Sequence, residues 1–193
     1  MVVAIALFVG IGSAQVDASV LYVYPIAGNV TSTFSATHFG YPATDIFANC
    51  GAAVLAPVSG LVSGLRRTDL WTKKSDNPWF RGGKFVSIAG RDGVRYYLAH
   101  LGVISGGLAI GSVVQVGQRL GTVGRTGRAG ACHLHFGISP PCSNSEWWVR
   151  RGVIWPAKYL QAWRAGVGKS PVDEILRWLH NNPGACVDQG QLR

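Results

Sequence analysis

The amino-acid sequence predicts a mainly β fold of the α+β class, in which two helices follow a β core. The chain has 26 glycines, nine prolines and only 14% charged residues. This composition favours many short strands and tight turns over a helical bundle. Hydrophobic residues make up 48% of the 193 residues, which is enough for one well-buried domain. We therefore expect a single β domain with a helical extension.

The start of the chain predicts a secretory signal peptide. Residues 2–14 are apolar and uncharged, end in small residues, and form a run too short to span a bilayer as a helix. The basic residues that usually open such a signal are missing, so a retained anchor and a buried first strand are the alternatives. We expect a signal peptide over 1–18, a β core over 19–142, and a helical extension over 143–193 that packs on the core. The protein is then secreted, periplasmic or associated with the cell wall.

Short strands separated by turn residues account for most of the predicted core. Residues 20–24 are β-branched and aromatic and predict the first strand. Residues 52–64 predict two short strands, because a proline and a glycine interrupt an apolar run. An Asp-Gly turn predicts a hairpin between strands at 85–88 and 94–101. The polar stretch 66–83 has no period, and we expect this long loop to form a wall of the binding cleft.

Two helices are predicted near the end of the chain. The first begins near Pro156 and runs to about Ala165. The second has Ser170 as its N-cap and continues with apolar residues at i, i+3, i+4 and i+7 from Val172. His180 falls in the last turn of this helix, where a cation suits the helix dipole, so we expect a structural role for it.

The formal net charge of +9 predicts attraction to polyanions. Nucleic acid, an anionic membrane surface and an anionic cell-wall polymer all have the required charge. Nucleic-acid binding is disfavoured, because the arginines are scattered along the sequence and do not cluster on one helix or alternate with stacking aromatic residues. Anionic wall polymers are therefore retained as candidate partners.

Four cysteines in a chain that is predicted to be exported indicate two disulfides. None of their spacings is the Cys-x-x-Cys pair of zinc or redox sites. Cys132 and Cys142 flank a histidine-containing strand and the proline pair that follows it, which favours a bridge between them. Cys50 then pairs with Cys186, and free buried cysteines are the alternative.

The most informative stretch is the predicted strand that carries His133 and His135. Residues i and i+2 of a strand point to the same face, so these two imidazoles stand side by side while Leu134, Phe136 and Ile138 take the other face. Ordinary packing would fill both faces with apolar residues. Paired imidazoles on a rigid strand favour a metal site over two solvated histidines.

Three further residues could join this pair, namely His38, Asp45 and His100. A catalytic zinc takes three protein ligands and leaves the fourth position for water, so five candidates leave two residues for chemistry. The only glutamates, Glu146 and Glu174, are not near a histidine in the sequence. Acid and base roles are therefore expected to fall to histidine.

The order of these motifs resembles the lysostaphin/LytM-type zinc endopeptidases that cut peptidoglycan peptides. The resemblance runs from about Tyr24 to Ile138. Its segments are THFGYPATDI (37–46), GAAVLAPVSG (51–60), LAHL (98–101), GRTG (124–127) and HLHF (133–136). Six residues separate His38 from Asp45, whereas many members have three, and this longer form resembles an actinobacterial branch of the family.

The resemblance implies a small antiparallel β-sheet or sandwich with a groove, which acts on a cell-wall peptide or cross-bridge. We expect the protein to be a monomer. It implies one zinc ion held by His38, Asp45 and His135, with His100 and His133 flanking the water that zinc activates. The alternative is a non-catalytic wall-binding or hydrolase-regulating module on the same fold. The complete set of five residues favours the enzyme.

Overall fold

Two antiparallel β-sheets and three α-helices make up the computed structural model, which describes residues 21–28, 32–142 and 147–186. Within these ranges the strands are β1 (Thr33–Phe34), β2 (Thr44–Phe47), β3 (Ala53–Leu55), β4 (Gly60–Arg66), β5 (Phe85–Gly90), β6 (Arg95–Ala99), β7 (Leu101–Ile104), β8 (Val113–Val114), β9 (Arg119–Val123) and β10 (His133–Ser139). The helices are α1 (Trp147–Arg151), α2 (Ala157–Arg164) and α3 (Val172–Asn181), with a 3₁₀-helix at Pro78–Phe80. The mainly β, antiparallel prediction is confirmed.

The larger sheet has seven strands in the order β1-β2-β10-β6-β5-β4-β8, and the smaller sheet has three in the order β3-β9-β7. β10 lies between β2 and β6, so strands distant in sequence flank the histidine strand on both sides. All seven residues of β10 are buried. Leu134, Phe136 and Ile138 belong to the hydrophobic core, which leaves the histidines on the opposite face.

The predicted hairpin and the two short strands of residues 52–64 are confirmed. β5 and β6 pair around a turn in which Gly93 has a positive φ of 75°, a conformation that favours glycine. β3 ends at Leu55 and β4 begins at Gly60, so the proline and glycine of that run do separate two strands.

The predicted first strand over residues 20–24 is wrong for its described part, residues 21–24, which form no strand. The segment instead makes single backbone hydrogen bonds, such as Val23 N–H to the Pro57 carbonyl at 3.0 Å. An aromatic residue of this segment packs against a helix: the Tyr22 ring stacks on Trp163 of α2, with ring centroids 5.3 Å apart. β-propensity here reflects a buried aromatic anchor and not a strand.

The two predicted helices are confirmed as α2 and α3. The predicted N-cap is wrong by one residue, because Pro171 occupies that position of α3 and makes no side-chain capping bond. Ser170 precedes it and accepts a hydrogen bond from the Val172 N–H at 3.3 Å. Lys158 of α2 forms an ion pair with Glu174 of α3 at 2.6 Å, which joins the two helices. The short helix α1 was not predicted.

The proposed signal segment, residues 1–18, lies outside the described residues. None of the helices within the described ranges has the length and apolar character that crossing a bilayer requires.

Two disulfides are present, but their predicted pairing is wrong. Cys50 pairs with Cys132, with Cα atoms 5.3 Å apart, and Cys142 pairs with Cys186 at 5.1 Å. A Cys132–Cys142 bridge is excluded because the straight strand β10 lies between the two residues, and seven residues extend about 23 Å. Disulfides need Cα atoms about 4.4–6.8 Å apart. Antiparallel pairing of β2 with β10 instead places the end of β2 beside the start of β10.

Removing the Cys50–Cys132 bridge with the double variant Cys50→Ser/Cys132→Ser is expected to lower the free energy of unfolding by about 2–4 kcal/mol. The bridge joins the two strands that carry Asp45 and His135, so metal affinity should fall as well. Chemical denaturation and metal titration check both effects. Cys142→Ser/Cys186→Ser is the matched control, since that bridge does not join those two strands. Equal metal affinity in the two double variants would contradict this coupling.

Candidate functional site

The pairing of β2 with β10 brings Asp45 and His135 directly opposite each other. The His135 Nδ1 lies 3.0 Å from Asp45 Oδ1. His38 reaches the same carboxylate from the loop before β2, with Nε2 3.9 Å from Oδ2. Histidine, aspartate and histidine thus converge from two neighbouring strands and one loop.

These three side chains could hold a metal ion. One donor atom from each of His38, Asp45 and His135 lies within 4.8 Å of the others, in the only such group found among the described residues. Two imidazoles and one carboxylate form a donor set that suits zinc. The residues therefore fit the predicted metal in both chemical type and proximity.

The protonation of this group also suits a cation. Burial alone would raise the pKa of Asp45, but the hydrogen bond from His135 and the nearby histidines lower it to about 2. Burial, followed by the charge of His135, lowers the pKa of His38. An ionised carboxylate and a neutral imidazole are the forms that bind metal.

Backbone contacts set the orientation of His135. Its Nε2 lies 3.4 Å from the carbonyl oxygen of Arg151, which can only accept a hydrogen bond. Without a metal, a proton on Nδ1 donates to Asp45 Oδ1. With a metal bound, a proton on Nε2 would donate to the Arg151 carbonyl and leave the Nδ1 lone pair for the ion. Orientation of a metal-binding histidine by a backbone carbonyl is a common arrangement around metals.

His100 and His133 lie next to each other beside this group, with ring centroids 4.5 Å apart. The His100 Nδ1 donates to the Thr126 carbonyl at 2.7 Å, and the His133 Nδ1 donates to the Ala131 carbonyl at 2.9 Å. Each contact leaves Nε2 without a proton and able to accept one. The His133 Nε2 lies 3.7 Å from Asp45 Oδ1.

His100 has an unusual backbone. It follows β6 directly, as predicted, but has a φ of 61°, in the left-handed region that residues other than glycine rarely adopt. Its backbone N–H donates to the Gly82 carbonyl at 2.9 Å, which fixes this turn. Burial, with added effects from His135 and His133, lowers the pKa of His100 to about 3. Strain of this kind concentrates at functional sites.

A cavity of about 370 Å³ opens over these residues. Its walls include three of the five predicted side chains, together with aromatic and basic residues that the sequence did not single out. The lining residues are His38, Phe39, Gly40, Tyr41, Arg81, Gly82, Tyr97, His100, Arg128, His135, Trp147 and Arg151. Asp45 and His133 do not line the cavity. Asp45 contacts the lining residues His38 and His135, and the His133 ring lies beside that of His100.

The loop predicted as a cleft wall does line the cleft. Arg81 and Gly82 face the cavity over the histidines, and Trp79 faces a neighbouring cavity. Asp76 holds the loop, because it accepts from Arg81 at 2.7 Å and from Arg128 at 3.0 Å. Trp71 donates to the same carboxylate and so serves the loop itself.

Sequence reasoning missed five lining residues: Tyr41, Tyr97, Arg128, Trp147 and Arg151. Tyr41 was within a quoted motif, and its ring lies 4.6 Å from that of His38. Trp147 and Arg151 belong to α1, where a run of aromatic and basic residues is the only available signal. His180 lies exposed in the last turn of α3.

Comparison with known proteins identifies the family of this chain. A family model described as Peptidase family M23 matches residues 40–146, more than half of the chain. The chain belongs to peptidase family M23. The resemblance to lysostaphin/LytM-type enzymes is thereby confirmed.

Individual relatives agree with this membership. The chain is 30% identical over 127 residues to the L-Ala--D-Glu endopeptidase of Bacillus subtilis, covering 62% of this M23 chain and 34% of the relative. It therefore spans about a third of the length of that relative. The catalytic domain of lysostaphin from Staphylococcus simulans superposes with a TM-score of 0.52 at 23% identity, covering 69% of this chain and 93% of that one.

A second solved structure shows the same fold. The putative glycyl-glycine endopeptidase lytM from Ruminococcus gnavus has a TM-score of 0.58 at 20% identity, covering 78% of this chain and 63% of that one. At this level of identity, the two structural likenesses establish the M23 fold.

Proposed function

We propose that this M23 protein is a zinc-dependent endopeptidase that hydrolyses peptide bonds in peptidoglycan. One observation carries the proposal. His38, Asp45 and His135 form a group that could hold a metal ion, and two further histidines whose Nε2 atoms can accept a proton lie beside it. The relatives add the substrate class, since a curated relative is an L-Ala--D-Glu endopeptidase.

His38, Asp45 and His135 would hold one zinc ion. When bound, zinc supplies Lewis-acid chemistry, which polarises a carbonyl group and makes water more acidic. The protein supplies the ligands in the correct protonation state, through the lowered pKa values of Asp45 and His38. Arg151 orients the third ligand through its carbonyl oxygen.

His100 and His133 would move the protons. Their Nδ1–H groups are held by backbone carbonyls, so each Nε2 can accept a proton from the attacking water. The protonated imidazole can then donate to the oxyanion or to the leaving amine. Burial lowers the pKa of His100 and so keeps its imidazole neutral, the form that can accept a proton.

The surroundings of the site suit a peptide substrate. Tyr41 and Tyr97 line the cavity, and burial raises the pKa of both phenols, so both remain neutral hydrogen-bond donors. The two disulfides fit an oxidising compartment, which supports a secreted, periplasmic or wall-associated protein. With a net charge of +9, anionic wall polymers are proposed as additional partners of a monomeric enzyme.

The proposal is tested by incubating the purified, zinc-loaded protein with purified peptidoglycan. Mass spectrometry of the soluble products should show new peptide amino termini. Removal of the metal with a chelator should abolish their release, and added zinc should restore it. Wall binding without products would favour the non-catalytic module, and release that survives metal removal would contradict zinc dependence.

A further inference from the structure

A second cavity of about 280 Å³ adjoins the one over the histidines. It lies over β4, β5 and β6 of the larger sheet, below the 3₁₀-helix and α1. The two cavities share Tyr97, Trp147 and Arg151 as walls, so one extended ligand can occupy both.

Arginine dominates the lining of this second cavity. Within the described part of the chain, four arginines and no carboxylate face it: Arg66, Arg95, Arg150 and Arg151. Burial lowers the pKa of Arg66, and burial together with the charge of Arg150 lowers that of Arg95 to about 10. Arg66 and Arg151 bring two guanidinium groups to this cavity, and their fork of N–H donors matches a carboxylate.

Backbone carbonyls and aromatic rings hold these side chains in place. Arg66 donates from Nη1 to the Trp79 carbonyl at 2.9 Å, and its guanidinium lies 5.1 Å from the Phe85 ring centroid. Arg151 donates to the Pro78 carbonyl and stacks 4.7 Å from the Trp147 centroid. A guanidinium has five N–H donors, so anchoring through one still leaves donors for a ligand.

We propose that this arginine-lined cavity binds a carboxylate of the peptide substrate, next to the bond that is cut. The proposal rests on the proposed function, because peptide substrates present anions as carboxylates. The planar guanidinium matches a carboxylate with two parallel hydrogen bonds. At about 280 Å³, the cavity is smaller than most sites for whole small molecules, so it fits one acidic residue. The enzyme then prefers stem peptides with free carboxylates over amidated ones.

The test compares unmodified peptidoglycan with peptidoglycan whose carboxyl groups have been converted to amides, at 150 mM salt (about physiological ionic strength). The zinc-loaded wild-type protein should hydrolyse the unmodified wall about 10- to 100-fold faster. Arg66→Gln should lower this ratio by about tenfold, and Arg66→Lys should give an intermediate ratio, because lysine keeps the charge but loses the bidentate geometry.

The control is Arg119→Gln, which removes the same charge from an exposed residue on the smaller sheet. Its ratio should equal that of the wild type. Equal rates on both walls in the wild type, or an equal loss of preference in Arg119→Gln, would overturn the carboxylate site while leaving the endopeptidase intact.

If neither wall yields products, the proposed function fails and the cavity is judged by co-sedimentation with the same two walls. Preference for the unmodified wall that Arg66→Gln loses and Arg119→Gln keeps would support the carboxylate site alone. Equal binding of both walls by the wild-type protein would overturn it.

Discussion

Replacing His135 with alanine is expected to remove zinc and endopeptidase activity together. His135 is buried, and its Nδ1 lies 3.0 Å from the carboxylate of Asp45, another member of the three-residue group. Without it, only His38 and Asp45 remain, and catalytic zinc sites normally have three protein ligands. Zinc content per chain and peptide release from purified peptidoglycan measure the two losses.

His100→Ala and His133→Ala should behave differently from His135→Ala. Each should keep about one zinc per chain, because neither residue belongs to the three-residue group that is proposed to hold the metal. Turnover should fall by a factor on the order of 10²–10⁴, the usual contribution of a general acid or base. Zinc content therefore separates the ligand from its neighbours on the same face.

The control is His180→Ala, since His180 lies exposed on α3 and should affect neither zinc nor turnover. His133 is the competing ligand, because its Nε2 lies 3.7 Å from Asp45 Oδ1. Loss of zinc in His133→Ala with retention in His135→Ala would reverse the assignment. Full activity in all the site variants would contradict the proposal that the protein is a zinc-dependent endopeptidase.

Two of the five predicted site residues could be singled out from the sequence by a short-range rule. Alternation along a strand places His133 and His135 on one face, whatever the strand pairs with. The structure brings these two together with His38, Asp45 and His100 through the neighbours β2 and β6. Recognition of the ordered motifs supplied these three residues, which lie on or next to those neighbouring strands.

Features that depend on strand pairing could not be predicted in the same way. The disulfides follow the antiparallel register of β2 and β10, which joins cysteines 82 residues apart in sequence. Proximity along the chain favoured Cys132 with Cys142, and the length of β10 excludes that pair. Residues 21–24 show the complementary error, because an aromatic segment that packs against α2 has the composition of a strand.

The arginine-lined cavity was also beyond prediction from local patterns. Arg66 lies at the end of β4, Arg95 begins β6, and the other two belong to α1. These arginines look scattered in the sequence, and only the stacking of α1 on the larger sheet brings them together. Scattered charge in a sequence therefore does not exclude a concentrated site in the fold.

Gly137→Ala is expected to damage both stability and metal binding, through the close packing of α1 on β10. Gly137 lies two residues after His135 on the same face. A Cβ atom there would lie 1.7 Å from the Arg151 carbonyl oxygen and 2.5 Å from its carbon. Because these are backbone atoms, no side-chain rotation can relieve the clash, and α1 must move away from the sheet.

That displacement would withdraw the carbonyl that orients His135 and the guanidinium that lines both cavities. Loss of such a supporting contact typically lowers metal affinity about 10- to 100-fold. Overpacking should also cost about 1–3 kcal/mol in the free energy of unfolding. Zinc titration against a competing chelator and chemical denaturation measure the two effects. Gly107→Ala is the matched control, since a Cβ there meets no atom within 4 Å. Wild-type zinc affinity in Gly137→Ala would show that the Arg151 carbonyl does not support the metal site.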